Sequence, residues 1–159
     1  MKIRSWIVFA LISIVLLSCD PNRVYDEYKE IPKYTWNYKE NVNFNINIED
    51  TTILYNMYIN VRHTSDYMFS NLYLFIDIKY PDNKISRDTV ECVLADDRGR
   101  WLGEGLGGMW DSKILIKKSF KFNLSGEYKF DIYQAMRVDD LTDIMDIGLR
   151  IEKYMPKKK

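Results

Sequence analysis

His63 is the single histidine of this 159-residue chain, so chemistry that needs a neutral base would have to use it. It sits in Asn60-Val61-Arg62-His63-Thr64-Ser65-Asp66, which reads as a strand end running into a polar turn. Ser65 and Asp66 follow too closely to complete a Ser-His-Asp triad, and no G-x-S-x-G elbow is present. The expectation is a surface histidine held by turn hydrogen bonds. Cys92 alternates in phase with Val90 and Leu94, the pattern of a buried structural thiol rather than a nucleophile. One histidine and one free thiol do not supply the usual donor set of a zinc site. Carboxylates gather at Asp96-Asp97 and at Asp139, Asp140, Asp143 and Asp146. A glycosidase pair can meet from distant strands, but no local feature selects one, and neither cluster has the twelve-residue calcium-loop pattern. No catalytic residue, metal or cofactor is expected.

The segment from Arg98 to Asp111 is the most unusual. Gly103, Gly105 and Gly108 formally match G-x-G-x-x-G, but a strand-like run follows where a dinucleotide site needs a helix. Gly103, Gly105, Gly107 and Gly108 lie between Trp101 and Trp110, which suggests a mobile or irregular loop carrying two large rings. Such rings anchor a protein partner, stack on a glycan, or cap the open end of a β-fold. As a contact surface, Trp101, Gly103, Gly105, Gly107 and Trp110 are the candidates. On that reading, alanine at both tryptophans abolishes function with little loss of stability.

A third chemistry is covalent. Lys2 and Arg4 precede an apolar run from Trp6 to Leu17, and Leu16-Leu17-Ser18-Cys19 closes it. The run is too short to cross a bilayer and reads as an export signal. Ser18-Cys19 resembles the lipobox of bacterial lipoproteins, although Leu17 stands where a smaller residue is commoner. The resemblance implies removal of residues 1–18 and a diacylglycerol thioether on Cys19. Two or more acyl chains at about 0.8 kcal/mol per buried methylene make a lasting membrane anchor. The alternatives are an ordinary signal peptide cut elsewhere and an uncleaved anchor.

The elements that must position these groups follow from composition and period. Loss of Lys2 and Arg4 with the signal leaves 21 basic side chains against 23 acidic, a net charge of −2. That balance argues against a nucleic-acid partner. Lys157-Lys158-Lys159 reads as a solvated terminus. Residues 19–41 contain Pro21, Pro32 and many charges, and predict a lipidated tether, either a free coil with a reach of roughly 25 Å or a segment partly packed through Tyr25, Tyr28 and Trp36. From residue 42 the hydrophobic period is two. Strands are expected at Val42–Ile48, Ile53–Val61, Leu72–Lys79, Asp88–Leu94, Lys113–Leu124, Tyr128–Gln134 and Ile147–Tyr154. Only Asp139–Met145 suggests a helical turn, capped by Asp139 or Asp140. The fold expected for residues 42–159 is all-β: an antiparallel sandwich of about seven strands, immunoglobulin-like or jelly-roll-like.

Several segments taken together resemble the gliding motility lipoprotein GldH family of Bacteroidota. They are Cys19-Asp20 with Arg23 to Tyr28, Asn60 to Thr64, Phe69 to Leu74, Asp88 to Glu91, Gly99 to Gly107, Gln134 to Arg137 and Met145 to Ile151. The resemblance covers nearly the whole mature chain. It implies a cell-envelope lipoprotein needed for surface gliding in some members, where gliding is linked to the type IX secretion machinery; relatives in bacteria that do not glide leave a housekeeping envelope role open. The function expected is a non-enzymatic interaction or assembly component of that machinery, the alternative being a carbohydrate-binding envelope lipoprotein that uses Trp101 and Trp110. Only lipidated Cys19 carries over as a functional residue. In this group an acidic run just after the cysteine marks surface export. Pro21, Asn22 and Arg23 interrupt such a run here, which favours an outer-membrane protein facing the periplasm.

Overall fold

A computed structural model describes residues 20–156; Cys19 and Lys157–Lys159 lie outside the described residues. Eleven strands form: β1 (Arg23–Glu30), β2 (Thr35–Asn37), β3 (Val42–Ile48), β4 (Tyr55–Thr64), β5 (Asn71–Lys79), β6 (Ile85–Val93), β7 (Glu104–Leu106), β8 (Met109–Phe120), β9 (Gly126–Gln134), β10 (Asp140–Thr142) and β11 (Ile144–Lys153). One sheet has the order β1-β11-β4-β8-β7 and the other β3-β9-β5-β6, with a β10-β2 ribbon beside them. All pairings are antiparallel. The two larger sheets pack as a sandwich, as the alternating pattern predicts. In β3, Val42, Phe44, Ile46 and Ile48 are buried while Asn43, Asn45 and Asn47 face water. Met57, Ile59 and Val61 of β4 and Ile147, Leu149 and Ile151 of β11 supply the facing half of the core.

All seven expected strands are present, with two differences around them. Much of the segment expected as a tether is folded. β1 pairs with β11 from Tyr25↔Ile151 to Glu30↔Asp146, Ile31 is buried, and Trp36 is only 1% exposed. Charge hides this strand from a hydrophobic-period reading. Asp26 pairs with Arg150, and the Tyr28 hydroxyl donates to Asp111 at 3.2 Å, so the polar side chains are satisfied by neighbouring strands. Asp139–Met145 is not helical. β10 pairs with β2 there, and Asp143 turns the chain into β11 at φ 69°. Aspartate tolerates that left-handed conformation, and here its carboxylate accepts from the Thr64 hydroxyl at 2.9 Å.

The ends of the sandwich are distinct. Arg23↔Glu152, Tyr55↔Lys153 and Tyr55↔Phe120 bring Asp20 and the last strand to one end. Thr64↔Met109 brings the β7–β8 hairpin and the β4–β5 loop to the other. Along ten-residue β4 the two ends are about 30 Å apart.

Candidate functional site

The glycine-rich segment is an ordered hairpin rather than an irregular loop. Gly107 and Gly108 have φ of 59° and 84°, the two positive values that a two-residue type I′ turn requires. Leu106 pairs with Met109 and Glu104 with Asp111 across it. Ser65 buttresses the turn: its backbone N–H donates to Gly108 O at 2.9 Å, and its hydroxyl sits 3.2 Å from the same oxygen. Trp110 donates from Nε1 to Ser65 Oγ at 3.2 Å, and its ring lies over Gly105, where a Cβ would come within 2.8 Å of it. Gly103 lets two backbones approach, since a Cβ there would meet Asp111 O at 2.6 Å and Ser112 Oγ at 2.5 Å.

Trp101 turns inward. It bridges to Ala95, and its ring centroid is 4.4 Å from that of His63 and 6.4 Å from that of Tyr67. His63 is accordingly not a surface residue. It lies on the inner face of β4, fully buried, because the phase that buries Met57, Ile59 and Val61 carries through to it. Its Nδ1 is 2.9 Å from Thr64 O. A carbonyl only accepts, so Nδ1 carries the proton of the neutral ring and Nε2 is a bare acceptor; Nε2 has no partner among the described residues. Burial lowers the His63 pKa, and the Thr64 carbonyl opposes that only in part.

The five residues Trp101, Gly103, Gly105, Gly107 and Trp110 thus come together at one end, in unlike roles. Trp101 closes the core, Gly103 and Gly105 permit close approach, Gly107 makes the turn, and Trp110 braces the hairpin. What the hairpin presents to solvent is Leu106, 79% exposed; Met68 in the adjoining β4–β5 loop is 82% exposed, with Leu102 also exposed nearby. Met68 has no sequence signal of its own. A hydrophobic residue at a Gly-Gly turn is the one available hint for Leu106.

The other chemistry-bearing residues have structural surroundings. Asp96 accepts backbone bonds from Arg98 and Arg100 at 3.0 and 2.9 Å and pairs with the Arg100 guanidinium, which together lower its pKa. Asp140 accepts from Asn37 at 2.7 Å. Cys92 is buried, and burial pushes its thiol up to about 12. On the outer face of the five-stranded sheet, Arg62 donates from Nε to Asp111 at 2.8 Å and lies 3.9 Å over the Tyr28 ring. Burial, and then the Asp111 charge, raise the Tyr28 hydroxyl to about 12. This cluster fastens β1 to the sheet, and the guanidinium covers the ring face. Among the described residues, no group of three or more His, Cys, Asp or Glu side chains is arranged to hold a metal ion.

The family model described as GldH lipoprotein matches residues 23–151, which begins at the first residue of β1. The gliding motility lipoprotein GldH homolog of Christiangramia forsetii is 41% identical over 153 residues, covering 92% of this chain and 93% of its own. The gliding motility lipoprotein GldH of Flavobacterium johnsoniae is 36% identical over 160 residues, covering 96% and 99%. Among solved structures, a carbohydrate-binding module specific for non-crystalline cellulose aligns over 80% of this chain and 71% of its own, at 10% identity and a TM-score of 0.40. With the family model spanning the sandwich from β1 into β11 and relatives aligned over almost their full lengths, the chain belongs to the GldH lipoprotein family.

Proposed function

We propose that this chain is a lipid-anchored cell-envelope component of the gliding motility machinery, acting by protein contact rather than by catalysis. The anchor is the acyl-modified Cys19, and the membrane is the outer membrane with the domain facing the periplasm. The contact surface is the braced hairpin between Trp101 and Trp110, together with Met68. The partner belongs to the gliding apparatus or to the type IX secretion system linked to it.

One observation carries this reading. The exposed apolar side chains of Leu106 and Met68 lie at the end of the sandwich opposite Asp20, the residue after the proposed lipid. A domain tethered at Asp20 directs that end about 30 Å away from the bilayer, toward other proteins. With Gly103, Gly105 and Ser65 holding the frame, little ordering entropy is left to lose on docking.

The test is complementation. A Flavobacterium johnsoniae strain lacking its own GldH receives this chain, or the chain with Leu106→Glu and Met68→Glu. The wild-type chain restores movement and the double variant, at equal abundance and melting temperature, does not. Restoration by the variant would place the contact elsewhere.

A further inference from the structure

The fold leaves one long strand half-paired. β8 runs twelve residues, yet β7 covers only Met109 to Asp111 of it. From Lys113 to Phe120, β8 bonds to β4 on one side, and among the described residues no other strand pairs its second edge. Along that edge lies a cavity of about 680 Å³, lined by Asp111 to Leu115 of β8 with Val93, Leu102 and Gly103; Tyr28 and Glu104 complete it at the β7 end, so its acidic side chains, Glu104 and Asp111, lie away from Lys118 and Lys121. Val93, Leu102 and Leu115 are exposed apolar side chains. The backbone of Gly103, packed against Asp111 and Ser112, closes one end. Asp88 of β6, the edge strand of the other sheet, meets Lys117 at 2.6 Å across the same side of the sandwich.

We infer that the β8 edge is a strand-addition site, filled by an extended segment of a partner protein in which acidic residues alternate with apolar ones. A row of unpaired backbone N–H and C=O groups is a template for one more strand, and the flanking pocket selects its side chains. Ile114 and Ile116 are half-buried against the core, so an added strand sets apolar residues beside them. From Lys113 to Lys121 every charged residue is a lysine; Lys113 pairs with Glu152 and Lys117 with Asp88, which leaves Lys118 and Lys121, the latter just past the end of β8, without an acidic partner among the described residues. Lys118 and Lys121 are exposed. A second copy of this chain pairing antiparallel through β8 would bring lysines against lysines, which disfavours self-addition. An acidic strand is what the edge accepts. The inference deepens the proposed assembly role and rests on it only in taking the partner to be a protein.

The test uses the full chain in detergent micelles and the peptide acetyl-Thr-Glu-Val-Asp-Val-Glu-Ile-Thr-amide, read by amide hydrogen exchange and by titration. Saturable binding that slows exchange between Lys113 and Phe120, and not in β1, β3 or β6, supports the inference. The double variant Lys118→Glu/Lys121→Glu weakens binding roughly tenfold, the scale of two cross-strand charge pairs reversed from attraction to repulsion. A peptide with lysine in place of its acids restores it. Absence of protection, protection at another edge, or protection that appears without peptide as protein concentration rises each overturns it. Because the readout involves no movement, its failure is separable from failure of the gliding assay.

Discussion

Trp101 and His63 meet edge to face, ring centroids 4.4 Å apart at 61°, and so close the end of the sandwich that carries the hairpin. Trp101 is therefore part of the core boundary, and Tyr67 completes the cluster at 5.4 Å from His63. Trp101→Ala removes a half-buried indole and exposes a buried imidazole. A loss of about 3 kcal/mol is expected by denaturant unfolding. Trp110→Ala, which forfeits the Ser65 hydrogen bond and the cover over Gly105, costs about 1.5 kcal/mol. Equal and negligible losses for the two would show that neither ring is structural.

The buried imidazole makes stability depend on pH in a defined direction. Folding lowers the His63 pKa below its ordinary 6.5. The unfolded chain then takes up the proton first. Stability is complete above the unfolded value and is lost as pH falls from there toward the folded value. The slope in that window is at most about 1.4 kcal/mol per pH unit. His63 is the only histidine, so His63→Phe should flatten the profile as pH falls below the ordinary imidazole value. An unchanged slope in urea titrations of the variant would assign it to other groups.

Two glycines of the hairpin segment separate steric from conformational demands. Gly103→Ala drives a Cβ to 2.6 Å from Asp111 O and should cost about 2 kcal/mol or more. Gly107 has φ 59° and open space around it, so Gly107→Asn, which makes the favoured Asn-Gly turn, is expected to change stability by under about 0.5 kcal/mol. A matching pair of melting temperatures would contradict the close approach at Gly103.

The amino-terminal segment is expected to be indispensable for folding. A chain starting at Val42 lacks β1, the partner of β11, and loses buried Ile31 and Trp36. It should show no cooperative thermal transition, whereas removal of residues 1–19 alone should leave one intact. A cooperative transition in the shorter chain would restore the tether reading of residues 20–41.

The sequence was informative where burial is one-sided and uninterrupted. β3, with its Val-Asn-Phe-Asn-Ile-Asn-Ile run, is legible by inspection, and the same rule finds β4, β5 and β9. β1 escaped because its core-side phase runs Tyr25, Glu27 and Lys29, so no apolar period of two marks it; Lys29 lies over the Phe44 ring instead. Asp26 and Tyr28 take partners only when β4, β8 and β11 are assembled, which no local period records. His63 escaped because the polar turn after it masks the inward phase of β4. The Trp-Gly segment could be located in the sequence but not characterised. Its glycines show where backbones crowd or turn, while the direction each ring faces depends on Ser65, Tyr67 and His63 from other elements.

The central claim is that the chain, anchored at its Asp20 end, engages a protein through the opposite end. The direct measurement is affinity recovery of the tagged lipoprotein from gently solubilised envelopes, with mass spectrometry of what comes with it. The wild-type chain, Cys19→Ala and Leu106→Glu are run side by side. The account requires a stoichiometric component of the motility or secretion apparatus with the wild-type chain, and its loss with Leu106→Glu at unchanged melting temperature. No protein at stoichiometric yield, or the same protein recovered equally with Leu106→Glu, would contradict it.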